Sequence, residues 1–152
     1  MIDIVDALLL PAIGSGRLDR GTVRDYVRDR FPLTKSLDDH AWAIADALGS
    51  AGIVRAERRE LLFSYRDILL PSFAFILHSA FPAPGMYNIS QIEENALIRA
   101  MLWNPDRLLS SLYELRNLGI IAKVSEIDSF RQFTTRWTLA EVVERLVSEQ
   151  AA

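Results

Sequence analysis

Apolar positions recur along this chain with a helical period, broken at intervals by short runs of strand character. Ile2, Val5, Leu9 and Ala12 share one helical face, so a first helix is predicted over residues 2–13, closed by Pro11, Gly14 and Gly16. A second, over 22–31, turns Val23, Tyr26 and Val27 inward and arginines outward. The third begins at Ser36, a residue suited to an N-cap with Asp39 three positions on, and runs to Ser50 before Gly52. Two strand-like runs follow, 53–56 and 61–65, joined by a charged turn.

The second half repeats this order. A strongly apolar helix is predicted over 68–81, and Pro82, Pro84 and Gly85 break the chain after it. Ser90 with Glu93 reads as a capping box for a helix reaching Trp103. Asn104, Pro105 and Asp106 form an N-cap, a first-turn proline and a first-turn acid, opening a helix that ends at Gly119. Strands are expected over 120–127 and 130–137. Thr138 with Glu141 is another capping box, starting a closing helix that turns Leu139, Val142, Val143 and Leu146 inward.

The two halves also match in detail. Laid over each other, Leu48 falls on Leu115, Gly52 on Gly119, Ile53 on Ile120 and Val54 on Ile121. In both stretches a helix ends on a glycine able to take a left-handed turn, and a β-branched strand begins. Three helices followed by a two-stranded ribbon, found twice, resemble the winged helix-turn-helix superfamily over nearly the whole chain. That resemblance implies a mainly α, α+β protein of two tandem modules, 1–66 and 67–152, each with three helices and a two-stranded wing, plus a C-terminal helix. It also implies a surface, because DNA-binding members place the third helix in the major groove and the wing on neighbouring backbone.

On that expectation the third helix of module two offers an outward ridge of Arg107, Ser110, Tyr113, Glu114 and Asn117, with Leu108, Leu112 and Leu115 inward and Arg131 and Arg136 on the wing. Arg55, Arg58 and Arg59 make a basic tip on the first wing. The equivalent helix of module one differs. With Leu37, Ala41, Ile44, Ala45 and Leu48 inward, its outer side carries Asp39, His40, Ala43, Asp46 and Ala47, acidic and small, which repels phosphate and suits close contact with a protein. Phe75, opposite the main apolar stripe of helix 68–81, is a further expected contact, with a central packing position, a partner or a second copy to cover it. Arg17, Arg20, Arg24 and Arg28 alternate with Asp25 and Asp29, the pattern of a salt-bridged solvent face.

Composition narrows the choice. Half of the 152 residues are hydrophobic, enough for a real core. The net charge is −3, and neither half, split at Pro84, has an excess of base over acid, so any DNA contact must come from a local patch. Absence of cysteine removes disulfides and thiolate chemistry and suits a cytoplasmic protein. Asp3 and Asp6 stand where an export signal carries bases, and the 68–81 run is too short for a membrane span.

Catalytic patterns are not found. His40 and His78 have no paired ligand spacing, Gly14-Ser15-Gly16 lacks the lysine of a phosphate loop, and the adjacent acids Asp38–Asp39 and Glu93–Glu94 sit near helix N-termini, which favour them electrostatically. No enzyme, cofactor or small-molecule substrate is therefore expected. Two functions remain: a DNA-associated winged-helix protein, or a tandem winged-helix adaptor resembling in plan the subunits of bacterial chromosome-organising complexes or of endosomal sorting machinery.

Overall fold

The computed structural model describes residues 1–33 and 35–150. Its architecture is α+β, with helices and two small antiparallel sheets of three strands each. The chain divides into two units: Met1–Tyr65 with Ala100–Leu102, and Arg66–Arg99 with the chain from Trp103 onward.

In the first unit a single α-turn, α1 (Ile2–Ile4), widens into a π-turn over Val5–Leu9, with the Leu10 N–H donating to the Val5 carbonyl at 2.9 Å. The predicted helix over 2–13 is thus shorter than its apolar period. Pro11 has no N–H for the ladder, and residues 10–16 form turns instead. A strand that the sequence pattern did not reveal, β1 (Arg17–Asp19), follows, then α2 (Arg20–Arg30), α3 (Leu37–Ser50), β2 (Arg55–Glu57) and β3 (Glu60–Leu62). Asp19 ends β1 and caps α2, its carboxylate accepting the Gly21 N–H at 2.6 Å. Ser36 precedes α3 without a side-chain cap, and the His40 ring donates from Nδ1 to the Ser36 carbonyl at 2.7 Å.

β3 is the central strand, in the order β1-β3-β2. Its register aligns Leu18, Leu61 and Ala56 in one row, and Leu61 is fully buried. The opposite face carries an Arg17–Leu62–Arg55 row and an Asp19–Glu60–Glu57 row. Against the sheet pack Val5, Leu9, Val23, Leu48 and Phe63, joined by Ala100 and Leu102. Those last two residues were expected inside a helix of the second module. Helical spacing cannot say which core an apolar residue enters, and Leu102 adopts a positive φ of 52° that no helix accepts.

The second unit contains α4 (Leu70–Ala80), β4 (Gly85–Asn88), α5 (Ile89–Glu94), α6 (Ala96–Arg99), α7 (Pro105–Asn117), β5 (Lys123–Ile127), β6 (Phe130–Thr135) and α8 (Leu139–Gln150). Its sheet runs β4-β6-β5, again with the last strand in the middle and with one strand, β4, absent from the sequence reading. Phe133 on β6 is fully buried, stacked on Tyr87 at 5.5 Å and edge-on to Phe81 at 5.3 Å. The capping box lies two residues earlier than Ser90 and Glu93, at Asn88 and Gln91, because β4 ends there. The helix expected to reach Trp103 stops at Asn95, whose side chain accepts from the Leu97 and Ile98 N–H groups and starts α6. At the start of α7, Asn104 accepts from the Asp106 N–H at 3.1 Å. Thr138 and Glu141 form their reciprocal box ahead of α8. Along α8, Val142 is fully buried and Leu139 and Leu146 half-buried, whereas Val143, expected inward, is 36% exposed.

The repeated helix ends are superimposable in their hydrogen bonds. Gly52 (φ 67°) and Gly119 (φ 73°) are left-handed. The next two N–H groups, of Ile53 and Val54 or of Ile120 and Ile121, converge on the carbonyl of Leu48 or Leu115. Both leucines are buried to 1% exposure or less, so each turn hands the chain from a core leucine directly into the strand region.

Candidate interaction surfaces

α3 buries Ala45 and Leu48, half-buries Leu37, Ala41 and Ile44, and leaves Asp39, His40, Ala43, Asp46 and Ala47 exposed. The predicted outer residues therefore share one side. At the edge of that side stands a residue that the sequence pattern did not single out: Trp42, 66% exposed. Its position one turn from both Asp39 and Asp46 was a signal, since an indole on an otherwise polar helix face has no core to enter. The Arg20 guanidinium lies over the ring at 5.1 Å. Two hollows flank the indole, one of about 190 Å³ beside Arg24 and Asp38, the other of about 330 Å³ bounded by Asp46, Gly49, Ser50 and Ala56.

The bases near this face are largely committed. Arg24 pairs with Asp38 at 3.3 Å, and Arg28 with Asp25 at 2.9 Å and Asp29 at 3.5 Å, a salt-bridged face as the alternation of charge implied. Asp39 and Asp46 have no ion-pair partner among the described residues. At the β2–β3 turn, Arg55 is tied to Glu57 at 2.7 Å, while Arg58 (φ 47°) and Arg59 project beside Glu57 and Glu60. Two acids thus dilute the basic tip that the sequence offered.

α7 occupies in its unit the place of α3 in the other, between a helix and the last two strands of the order. It buries Leu108, Ser111, Leu112 and Leu115 and exposes Arg107, Ser110, Glu114, Arg116 and Asn117, with Tyr113 half-buried. Arg107 and Lys123 have no acidic partner among the described residues. The other predicted contacts are linked: Arg116 lies over the Tyr113 ring at 4.9 Å and donates to Asn117, the Tyr113 hydroxyl donates to Glu126 at 2.8 Å, and Glu126 pairs with Arg131 at 3.4 Å. The bond to Glu126 raises the Tyr113 pKa, because losing the proton would bring two anions together. Arg131 is therefore partly neutralised. Arg136 donates to the Gly119 carbonyl and lies 5.0 Å from the ring of Trp137, just ahead of α8, with Arg145 over the same ring at 3.7 Å, a structural role. Farther along the β5–β6 hairpin, Ile127 and Phe130 face each other at 64% and 69% exposure.

On α4, Phe73, Ala74, Leu77 and His78 are buried while Phe75 remains 45% exposed, so the side carrying Phe75 is open. His78 is fully buried, its Nδ1–H donating to the Ala74 carbonyl at 2.8 Å and its Nε2 lacking a partner; burial lowers its pKa. Among the described residues no group of three or more histidines or acids is placed to hold a metal ion, and no helix is long and apolar enough to cross a membrane.

No family model matches the sequence, and no curated protein matches it. Among solved structures, the magnesium ion-bound crystal structure of SspB is similar to this chain, with a TM-score of 0.61 at 11% identity. The likeness covers 89% of this chain and 50% of SspB, so the chain spans half the length of that protein. At this identity the similarity is one of fold.

Proposed function

We propose that the chain is a tandem winged helix-turn-helix protein that acts by binding rather than catalysis: a cytoplasmic, DNA-contacting subunit of a protein complex. The winged-helix reading is supported by the helix–strand–helix–helix–strand–strand order of the first unit, which the second follows with one helix more between its strands and α8 added, by central last strands, and by left-handed glycines at the ends of α3 and α7. On it, α3 and α7 are equivalent recognition helices.

The contrast between those two helices carries the functional reading. α7 presents Arg107, Ser110 and Asn117, donors for phosphates and base edges, with one acid, Glu114, among them, Arg116 on the other flank and Lys123 following on β5. α3 presents Asp39, Trp42 and Asp46 without a base. An acidic helix is repelled by a phosphate lattice, whereas an exposed tryptophan beside small residues has the chemistry of a protein contact. The second unit is assigned to double-stranded DNA and the first to a protein partner. Fluorescence anisotropy of a labelled mixed-sequence duplex tests the DNA assignment. Binding that weakens steeply with salt is expected, and no binding at low salt would leave the protein-adaptor reading alone.

A further inference from the structure

Resting on the assignment of α3 to a protein partner, we infer that this face takes a basic amphipathic helix, with lysine or arginine two turns apart on either side of an apolar residue. The exposed side of α3 sets this pattern. Asp39 and Asp46 are seven positions apart, about two helical turns or 10.5 Å, and both lie on the side of Trp42. Beside them Ala43 and Ala47, one turn apart and exposed, leave a shallow strip where a second helix can approach closely.

Charge decides the partner's sign. Arg24 is neutralised by Asp38, and Arg20 is held over one side of the indole, leaving Asp39 and Asp46 as the acids without an ion pair along the strip among the described residues. A partner helix whose bases repeat at the same interval reaches both carboxylates at once. Its intervening apolar side chain covers the free edge of Trp42, next to the hollow of about 330 Å³ that Arg20, Trp42 and Asp46 line. Desolvating the indole supplies affinity, and the two ion pairs supply orientation and sign. A phosphate backbone meets the opposite: two carboxylates against a single base, Arg20 over the indole.

The test is a display selection of a randomised helical peptide library against the immobilised full-length protein, followed by affinities of the enriched peptides for the protein and its variants. Enrichment of lysine or arginine at positions seven apart is expected. Binding should fall about tenfold in Trp42→Ala, and in Asp39→Asn/Asp46→Asn it should weaken and lose its salt dependence. Peptides that need Trp42 but carry no bases at that interval would overturn the basic-helix inference while leaving a protein-binding α3 face. Peptides indifferent to Trp42, or no enrichment, would overturn both. Circular dichroism of each variant checks that α3 is intact, and Asp128→Asn, on the β5–β6 turn of the second unit, serves as a charge control expected to bind normally.

Discussion

If α7 meets DNA, the salt dependence of binding has a calculable size. Three cations on and beside the helix, Arg107, Arg116 and Lys123, lack an acidic partner among the described residues and, unlike Arg136, are not tied to a backbone carbonyl. Each phosphate neutralised contributes about −0.9 to the slope of log affinity against log salt, so three contacts give about −2.7, or roughly 40-fold weaker binding between 50 and 200 mM salt. Arg107→Glu removes one contact and adds repulsion. The slope should fall to about −1.8, with at least about tenfold lower affinity at 50 mM salt. The structure also predicts a gain. Arg131 is held at 3.4 Å by Glu126, and Glu126→Gln releases it while still accepting the Tyr113 hydroxyl, which should steepen the slope to about −3.6. Anisotropy titrations at four or more salt concentrations read all three slopes, with circular dichroism as the folding control. An Arg107→Glu slope equal to the parent's would refute the placement of α7 against phosphates, and an unchanged Glu126→Gln slope would show that Arg131 lies outside the contact.

Two further predictions concern the fold. Gly52→Ala meets open space at a φ of 67° and should cost about 1–2 kcal/mol of left-handed strain, whereas Gly16→Ala, at a φ of 66°, also drives a methyl to 2.9 Å from the Phe63 carbonyl and should cost more. Equal urea midpoints for the two variants would contradict this. His78, whose pKa is lowered by burial, makes stability fall as the pH is lowered. Above the ordinary histidine value of about 6.5, folded and unfolded chains are both neutral there. Below it the unfolded chain takes the proton first, so stability drops by up to about 1.4 kcal/mol per pH unit until the lowered folded-state pKa is reached. Urea titrations from pH 7 downward should show that loss in the parent and a flatter profile in His78→Phe; identical profiles would place the titration elsewhere.

Sequence alone determined much of what depends on a few neighbouring residues, although the box expected at Ser90–Glu93 formed at Asn88–Gln91 and Ser36 makes no side-chain cap. Asn104-Pro105-Asp106 starts a helix because an amide side chain can satisfy a free N–H while proline needs none, and the same local economy fixed the Thr138–Glu141 box and the left-handed stops at Gly52 and Gly119. The inward stripe of Leu108, Leu112 and Leu115 was legible from period alone, as was the outward set from Asp39 to Ala47. Tertiary structure decided what depends on distant partners. β1 and β4 are three and four residues long and exist as strands because β3 and β6 complete their hydrogen bonds, so no local pattern announces them. Ala100 and Leu102 entered the first unit's core, a choice that apolar spacing does not encode. The candidate surfaces were changed in the same way. Which arginines stay available depends on the acids that other segments bring within reach, as Glu126 does for Arg131 and Asp38 for Arg24. Charge and periodicity belong to the residue; pairing and exposure belong to the fold, because they are settled by groups far apart in the chain.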